Sequence, residues 1–326
     1  MDAGLCAKGE NMEKIKIFII IFTIILTLLI ALYFIVGNFF YNIALNPKTS
    51  KTFVLGEDEE EIEEQEEKGL EKIDWLSQNS EDVYITSSNN GNLKLHAYEI
   101  MNAEQSDIWT IVIHGYSGQG KDMTYYVQQF YNRGYNVLVV DLRGHGQSEG
   151  DYIGMGWHDR LDIIDWANYL IGKDNNCKII LHGVSMGGAT VMMTTGEKLP
   201  DNIKVAIEDC GYTSIWDEFE MQLKGLYNLP AFPVLNAASS VCKIKAGYKV
   251  EEGSSVEQVK KSKTPTLFIH GELDSFVPFE MLDKVYEAAN CKKEKLVIEG
   301  AAHAESSSIN PELYWETIDQ FIKENI

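Results

Sequence analysis

The run Lys178–His182 passes directly into Gly183-Val184-Ser185-Met186-Gly187-Gly188, and a helical pattern follows over Gly188–Lys198. This order of strand, sharp turn and helix limits the folds open to the chain. So tight a turn forces its central residue into a strained backbone conformation and tolerates only small neighbours. Gly183 and Gly187 supply them. Ser185 is then projected above the edge of a sheet, at a helix N-terminus whose dipole favours developing negative charge. Without its flanks, G-x-S-x-G marks no more than a turn packing a helix on a strand. The strand before it and the helix after it make Ser185 a candidate nucleophile.

The rest of the chain supplies the sheet this turn requires. Trp109–His114, Asn136–Val140, Lys204–Glu208, Thr266–His270 and Lys295–Ile298 are apolar runs of strand length, and Val83–Thr86 and Leu93–Ile100 flank a Ser-Ser-Asn-Asn-Gly hairpin signal. Nearly continuous apolar strands imply a sheet buried on both faces. Amphipathic stretches at Met123–Tyr131, His158–Ile171, Glu280–Ala289 and Pro311–Ile326 alternate with them, which predicts an α/β plan with a mostly parallel sheet. From Gly211 to Lys263 no strand is evident, only helical fragments rich in aromatic residues, Leu and Pro.

An activated serine needs a histidine, and the histidine needs an orienting carboxylate. With a turn of this type the chain order is serine, acid, histidine. Of the seven histidines, His96, His114, His145, His158 and His182 precede Ser185. His114, His182 and His270 each close an apolar run before a glycine and read as structural. His303 alone follows the last strand, on a loop of small residues before the final helix. Asp274, in a loop after the strand Thr266–His270, is the leading acid, and Asp209, ending the strand before it, is the rival. Backbone N–H donors for an oxyanion are expected from Met186 and from Tyr116, in His114-Gly115-Tyr116-Ser117-Gly118. Arg143 and His145, in Asp141–Gly150, read as parts of a glycine-dense loop held by its own hydrogen bonds.

Residues 17–36 carry no charge and are long enough to cross a bilayer. They divide the chain into a short cytoplasmic N-terminus at 1–16, a transmembrane helix at 17–36, an acidic linker at 37–72 and a catalytic domain at 73–326. Lys8, Lys14 and Lys16 before the span predict an extracytoplasmic domain on the cell membrane by the positive-inside tendency. The net charge of −21 argues against a nucleic-acid partner, and much of it sits in Glu57–Glu67, a solvated run. The five cysteines form no C-x-x-C pair, disulfide framework or zinc pattern. Oligomeric state is not legible.

With these residues in place, the chain from about Asp82 to Ile326 resembles the α/β-hydrolase superfamily. H-G, D-x-R-G-H-G-x-S-E-G, G-x-S-M-G-G, H-G-x-x-D and G-x-x-H occur in that family's order. D-L-R-G-H-G-Q-S-E-G is similar to the segment in monoacylglycerol lipases and the serine aminopeptidase branch. The elbow and E-D-C-G-Y-T-S-I-W look closer to membrane-anchored bacterial α/β-hydrolases. The resemblance implies a hydrolase without metal or cofactor, a Ser185–Asp274–His303 triad, and a helical lid at about 211–263. Trp216, Phe219, Leu223, Leu226, Tyr227 and Phe232 would line an acyl pocket or form the lid's own core. The expected reaction is cleavage of a carboxylic ester on a small acyl or lipid-like molecule, through an acyl-enzyme. Alternatives are a peptidase or amidase, an acyltransferase, or a silent membrane-tethered binding module.

Overall fold

The computed structural model describes residues 3–51, 75–89 and 91–326. The acidic run Glu57–Glu67 lies outside the described residues. Among the described residues, eight strands form one sheet: β1 (Glu81–Thr86), β2 (Lys94–Ile100), β3 (Ile108–Ile113), β4 (Asn136–Val140), β5 (Lys178–Val184), β6 (Ile203–Asp209), β7 (Thr266–Gly271) and β8 (Lys293–Ile298). Their order is β1-β2-β4-β3-β5-β6-β7-β8. The first hairpin pairs antiparallel with itself and with β4, and every pairing from β4 to β8 is parallel.

Alternation along the strands divides the core in two. Ile111 and Ile113 of β3, with Ile179 and Leu181 of β5, pack on one face, while Val112 and Ile180 pack on the other. Period-two side chains that are apolar at every position require cover on both faces. Helices provide it: α2 (Thr124–Asn132), α3 (Asp159–Lys173), α4 (Met186–Thr195), α5 (Ile215–Tyr227), α6 (Ala231–Lys245), α7 (Ser255–Val259), α8 (Glu280–Ala288), α9 (Ser306–Ile309) and α10 (Pro311–Asn325). Between β6 and β7, where the strand rhythm lapses, α5 to α7 form the expected helical insertion. Ser214 caps α5 by accepting from the Asp217 N–H, and Asn228 closes it in the left-handed conformation at φ 52°.

The N-terminal helix differs from the expected boundaries. Helix α1 runs unbroken over Ala3–Leu45, so residues 37–45 belong to the helix and not to the linker. Its turns from Ile17 to Ile30 are exposed and strongly apolar, and the span Asn11–Leu45 is long and apolar enough to cross a membrane. Near its end the helix docks on the domain. A Cβ at Gly37 would collide with the Ala237 carbonyl on α6, so glycine permits the close approach of the two helices. Tyr41 and Leu45 are buried in the main core. Docking, not a charge or a helix breaker, carries the helix past Val36.

Candidate active site

The elbow is built as its sequence requires. Ser185 has φ 58° and ψ −119°, a strained conformation held between β5 and α4. A Cβ at Gly183 would meet the Gly187 carbonyl, and one at Gly187 would meet the Ile113 carbonyl of β3. Neither position admits a larger residue. The Ser185 N–H donates to the Asp209 carbonyl at 2.8 Å, which pins the elbow to β6.

Three side chains from separate loops converge there. His303 Nε2 lies 2.9 Å from Ser185 Oγ, and its Nδ1 lies 2.8 Å from Asp274 Oδ2. Asp274 is fixed by more than the histidine. Its Oδ1 accepts from the Phe276 and Val277 N–H groups at 3.0 and 2.9 Å, and His270 Nε2 stands 3.2 Å from its Oδ2. Burial pushes the Asp274 carboxyl up, but hydrogen bonds from His270 and His303 outweigh it and leave it at about 2. A carboxylate only accepts, so the His303 proton sits on Nδ1 and Nε2 is free to accept from the serine hydroxyl.

The rival acid is held elsewhere. Asp209 is fully buried, and its carboxyl accepts from Ser306 Oγ at 3.2 Å and Tyr314 Oη at 3.1 Å. Burial raises it to about 6 against those bonds. Sequence order alone left this choice open; the hydrogen bonds place Asp274 on the histidine.

The two expected oxyanion donors flank the serine. Met186 is the first residue of α4, so its N–H lacks an intrahelical acceptor. The loop carrying Tyr116 passes close by, since a Cβ on Gly115 would lie 3.4 Å from that of Ser185. His114 secures the loop: its Nε2 accepts from the Leu142 N–H at 3.0 Å, and its Nδ1 meets the Gly115 carbonyl at 2.7 Å. Burial lowers His114 to about 4, so it stays neutral and structural, as its position at a strand end predicts.

The Asp141–Gly150 loop is likewise a scaffold. Asp141 gathers the Gly120 and Gln147 N–H groups and His96 Nδ1 within 2.8 Å. Arg143 is fully buried on Asp162, and His145 packs its ring 4.9 Å from that of His114.

An apolar cleft of about 900 Å³, its open mouth included, has Ser185 and Met186 among its lining residues. The insertion contributes Phe219, Leu223, Leu226 and Tyr227, as expected for a lid. Two other lid residues do not take the expected places. Trp216 packs against the main core, and Phe232 is 76 % exposed at the start of α6. Two further features have no counterpart in the sequence reading. Residues of α1 line the cleft, and so does Glu218, which burial raises to about 8.

Cys210, Asp274 and His303 bring ligand-type atoms within 4.8 Å of one another. Both His303 nitrogens are already engaged, and burial beside Asp209 and Asp274 holds the Cys210 thiol well above its usual range. Such a set suits a hydrogen-bond chain better than a metal, which takes thiolate.

Glu208, beneath the elbow on β6, accepts from the Gly211 N–H at 3.0 Å, and burial raises it to about 8 from a usual 4.5. The stability it contributes is therefore complete below about pH 4.5 and is lost as pH rises through about 8. Glu208→Gln removes that dependence. We expect its Tm to match the wild type at pH 5 and exceed it by about 5 °C at pH 9, read by thermal unfolding in detergent. Parallel Tm curves at both pH values would rule this out.

A mostly parallel eight-stranded sheet with a strained serine between strand and helix defines an α/β-hydrolase of the serine hydrolase type. A family model described as X-Pro dipeptidyl-peptidase (S15 family) matches residues 59–249, more than half of the chain, and the chain belongs to this family of α/β-hydrolases. The match ends before Asp274 and His303, so geometry alone joins those residues to Ser185. The uncharacterized protein YqkD of Bacillus subtilis is 30 % identical over 213 residues, 65 % of this chain and 70 % of its own length. An uncharacterized membrane protein of Saccharomyces cerevisiae is 24 % identical over 241 residues, 74 % of this chain and 79 % of its own. Among solved structures, the Pyrococcus furiosus esterase Pf2001 superposes with a TM-score of 0.63 at 25 % identity, covering 77 % of this chain and 93 % of that one.

Proposed function

We propose that this chain is a membrane-anchored serine esterase that cleaves carboxylic esters bearing an apolar acyl group. The observation that carries the reading is the continuous hydrogen-bond chain Ser185–His303–Asp274 at an apolar cleft. His303 Nε2 takes the Ser185 proton as Oγ attacks the ester carbonyl. Negative charge on the former carbonyl oxygen falls between the Met186 and Tyr116 N–H groups, each worth a few kcal/mol to the transition state. His303 then returns the proton to the leaving alcohol, and an acyl-Ser185 forms. Water, activated by the same imidazole, releases the acid. Asp274 keeps the imidazole in the accepting tautomer and stabilises its protonated form.

Likeness to an esterase supports the ester reading, and the family's descriptive name favours a second one, cleavage of a peptide or amide by the same residues. We place the catalytic domain outside the cytoplasm, on the lysines that precede the uncharged span 17–36.

One experiment addresses mechanism and side together. A membrane-impermeant fluorophosphonate applied to intact cells should label the wild type and leave Ser185→Ala unlabelled, with p-nitrophenyl ester hydrolysis falling by at least a thousandfold. No labelling even after lysis would remove Ser185 as the nucleophile. Labelling only after lysis would reverse the orientation.

A further inference from the structure

We propose that α1 is part of the substrate site: its last turns form one wall of the acyl cleft, and a single-chain ester lipid enters sideways from the bilayer along it. This rests on the esterase reading and goes further, to the class of ester and its route.

The cleft is lined on one side by Phe40, Tyr41, Ile43, Ala44 and Leu45 of α1, and Ser185 lines it too. At 1.5 Å per residue, Phe40 stands only about 6 Å along the helix axis from Val36, where the uncharged span ends. The lipid-facing stretch and the cleft wall are thus consecutive turns of one rigid helix. A chain leaving the bilayer along α1 meets apolar side chains all the way to the elbow, whereas an ester dissolved in water gains nothing from that continuity.

Helix α1 is held at the site by its own contacts. Tyr116, of the oxyanion loop, donates its hydroxyl to the Ala44 carbonyl at 2.6 Å. Lys51 is buried, and its ammonium donates to the Ile43 carbonyl at 2.5 Å and the Asn46 carbonyl at 3.0 Å, capping the end of the helix. The Phe40 ring meets Tyr227 of the lid edge-to-face at 5.3 Å, and both rings belong to cleft-lining residues.

The lid points the same way. Tyr33 Oη lies 2.9 Å from Ser240 Oγ, and Lys245 Nζ donates to Asn38 Oδ1 at 2.7 Å. Both pairs are 207 residues apart, so α6 runs parallel to α1 and its start is directed back towards the membrane-spanning turns. That start carries Phe232, 76 % exposed, and the connection just before it carries Leu229, 37 % exposed. Apolar side chains at a lid tip beside a lipid-facing helix fit insertion into the bilayer interface, with the cleft opening between lid and anchor.

The test uses the full chain reconstituted in phosphatidylcholine vesicles. 4-Methylumbelliferyl palmitate is placed either in the enzyme's own bilayer or in separate vesicles, and 4-methylumbelliferyl acetate is supplied in water. We expect palmitate hydrolysis to be at least tenfold faster within one bilayer and to follow the ester's mole fraction there. Phe40→Ala, which strips the wall, and Ala44→Leu, which narrows it, should each lower the palmitate-to-acetate ratio of kcat/KM at least tenfold. Equal rates from both vesicle populations, or an unchanged ratio in folded variants, overturns the proposal. Loss of both acetate hydrolysis and fluorophosphonate labelling in the wild type overturns the esterase reading and this inference with it. Retention of both with an unchanged ratio overturns the α1 wall alone.

Discussion

Asp274→Asn should lower kcat for a p-nitrophenyl ester by about ten-thousandfold, while Asp209→Asn should stay within about tenfold of the wild type. The two acids sit on neighbouring strand ends, but only Asp274 touches His303. Asparagine at 274 keeps an Oδ1 for the Phe276 and Val277 N–H groups, so the loop should hold its shape. What changes is the atom facing His303 Nδ1. An amide NH2 there favours the tautomer with its proton on Nε2, and such a histidine cannot accept from Ser185. The lost activity is then a tautomer effect, separate from the fall in Tm expected on losing a carboxylate that stabilises the fold at neutral pH. The wild-type carboxyl, held at about 2, contributes stability above its unfolded value of 3.8 that is lost as pH falls through about 2. It is therefore charged throughout the working pH range, and the variant's loss should persist across that range. Steady-state kinetics from pH 6 to 9 decide the matter. If Asp274→Asn keeps a tenth of wild-type kcat, or Asp209→Asn falls as far as it does, the acid has been misassigned.

This contrast shows why the site was only partly legible in the sequence. Ser185 announces itself because its turn needs glycine at two fixed offsets, and local sterics are written locally. His303 follows by elimination, since the other histidines sit at strand ends or before the elbow. Asp209 closes one strand and Asp274 lies in the loop after the next, and choosing between them depends on where Ser306 and Tyr314 fold back from the C-terminal helices, which is tertiary information. His270 shows the same limit. It closes a strand and reads as structural, yet its Nε2 also reaches Asp274. Its spacing of four residues before the acid was the available signal. The strands were legible because a sheet covered on both faces demands continuous apolar runs. The end of α1 was not, because an exposed apolar turn and one that packs on α6 have the same composition. Gly37 was the one local clue, and it acquires meaning only opposite Ala237.

Arg143→Ala should destabilise the protein by about 3–5 kcal/mol, a fall in Tm of roughly 10 °C. Arg143 invites a catalytic role by standing in the D-L-R-G-H-G run, but its guanidinium is fully buried and is not among the residues that line the cleft. Nε and Nη2 each donate to Asp162 at 2.8 Å, Nη1 donates to Tyr152 Oη at 3.0 Å, and Asp159 lies 4.0 Å away. Burial raises both acids, Asp162 to about 6, even with the arginine present. Removing the cation strands two buried carboxyls, which must then take up protons or remain charged without a partner. Their folded values rise further, so the stability they retain is present at low pH and lost as pH rises past about 6. The deficit in Arg143→Ala should accordingly be larger at pH 8 than at pH 5, by thermal unfolding in detergent. Asp162→Asn in the Arg143→Ala background should recover part of it at pH 8, because one stranded charge is gone. Below its unfolding temperature the single variant should still react with fluorophosphonate, since no reacting group has been touched. A Tm drop of less than about 2 °C, or a deficit independent of pH, would show that solvent reaches the Arg143 site and that the loop is held by Asp141 alone.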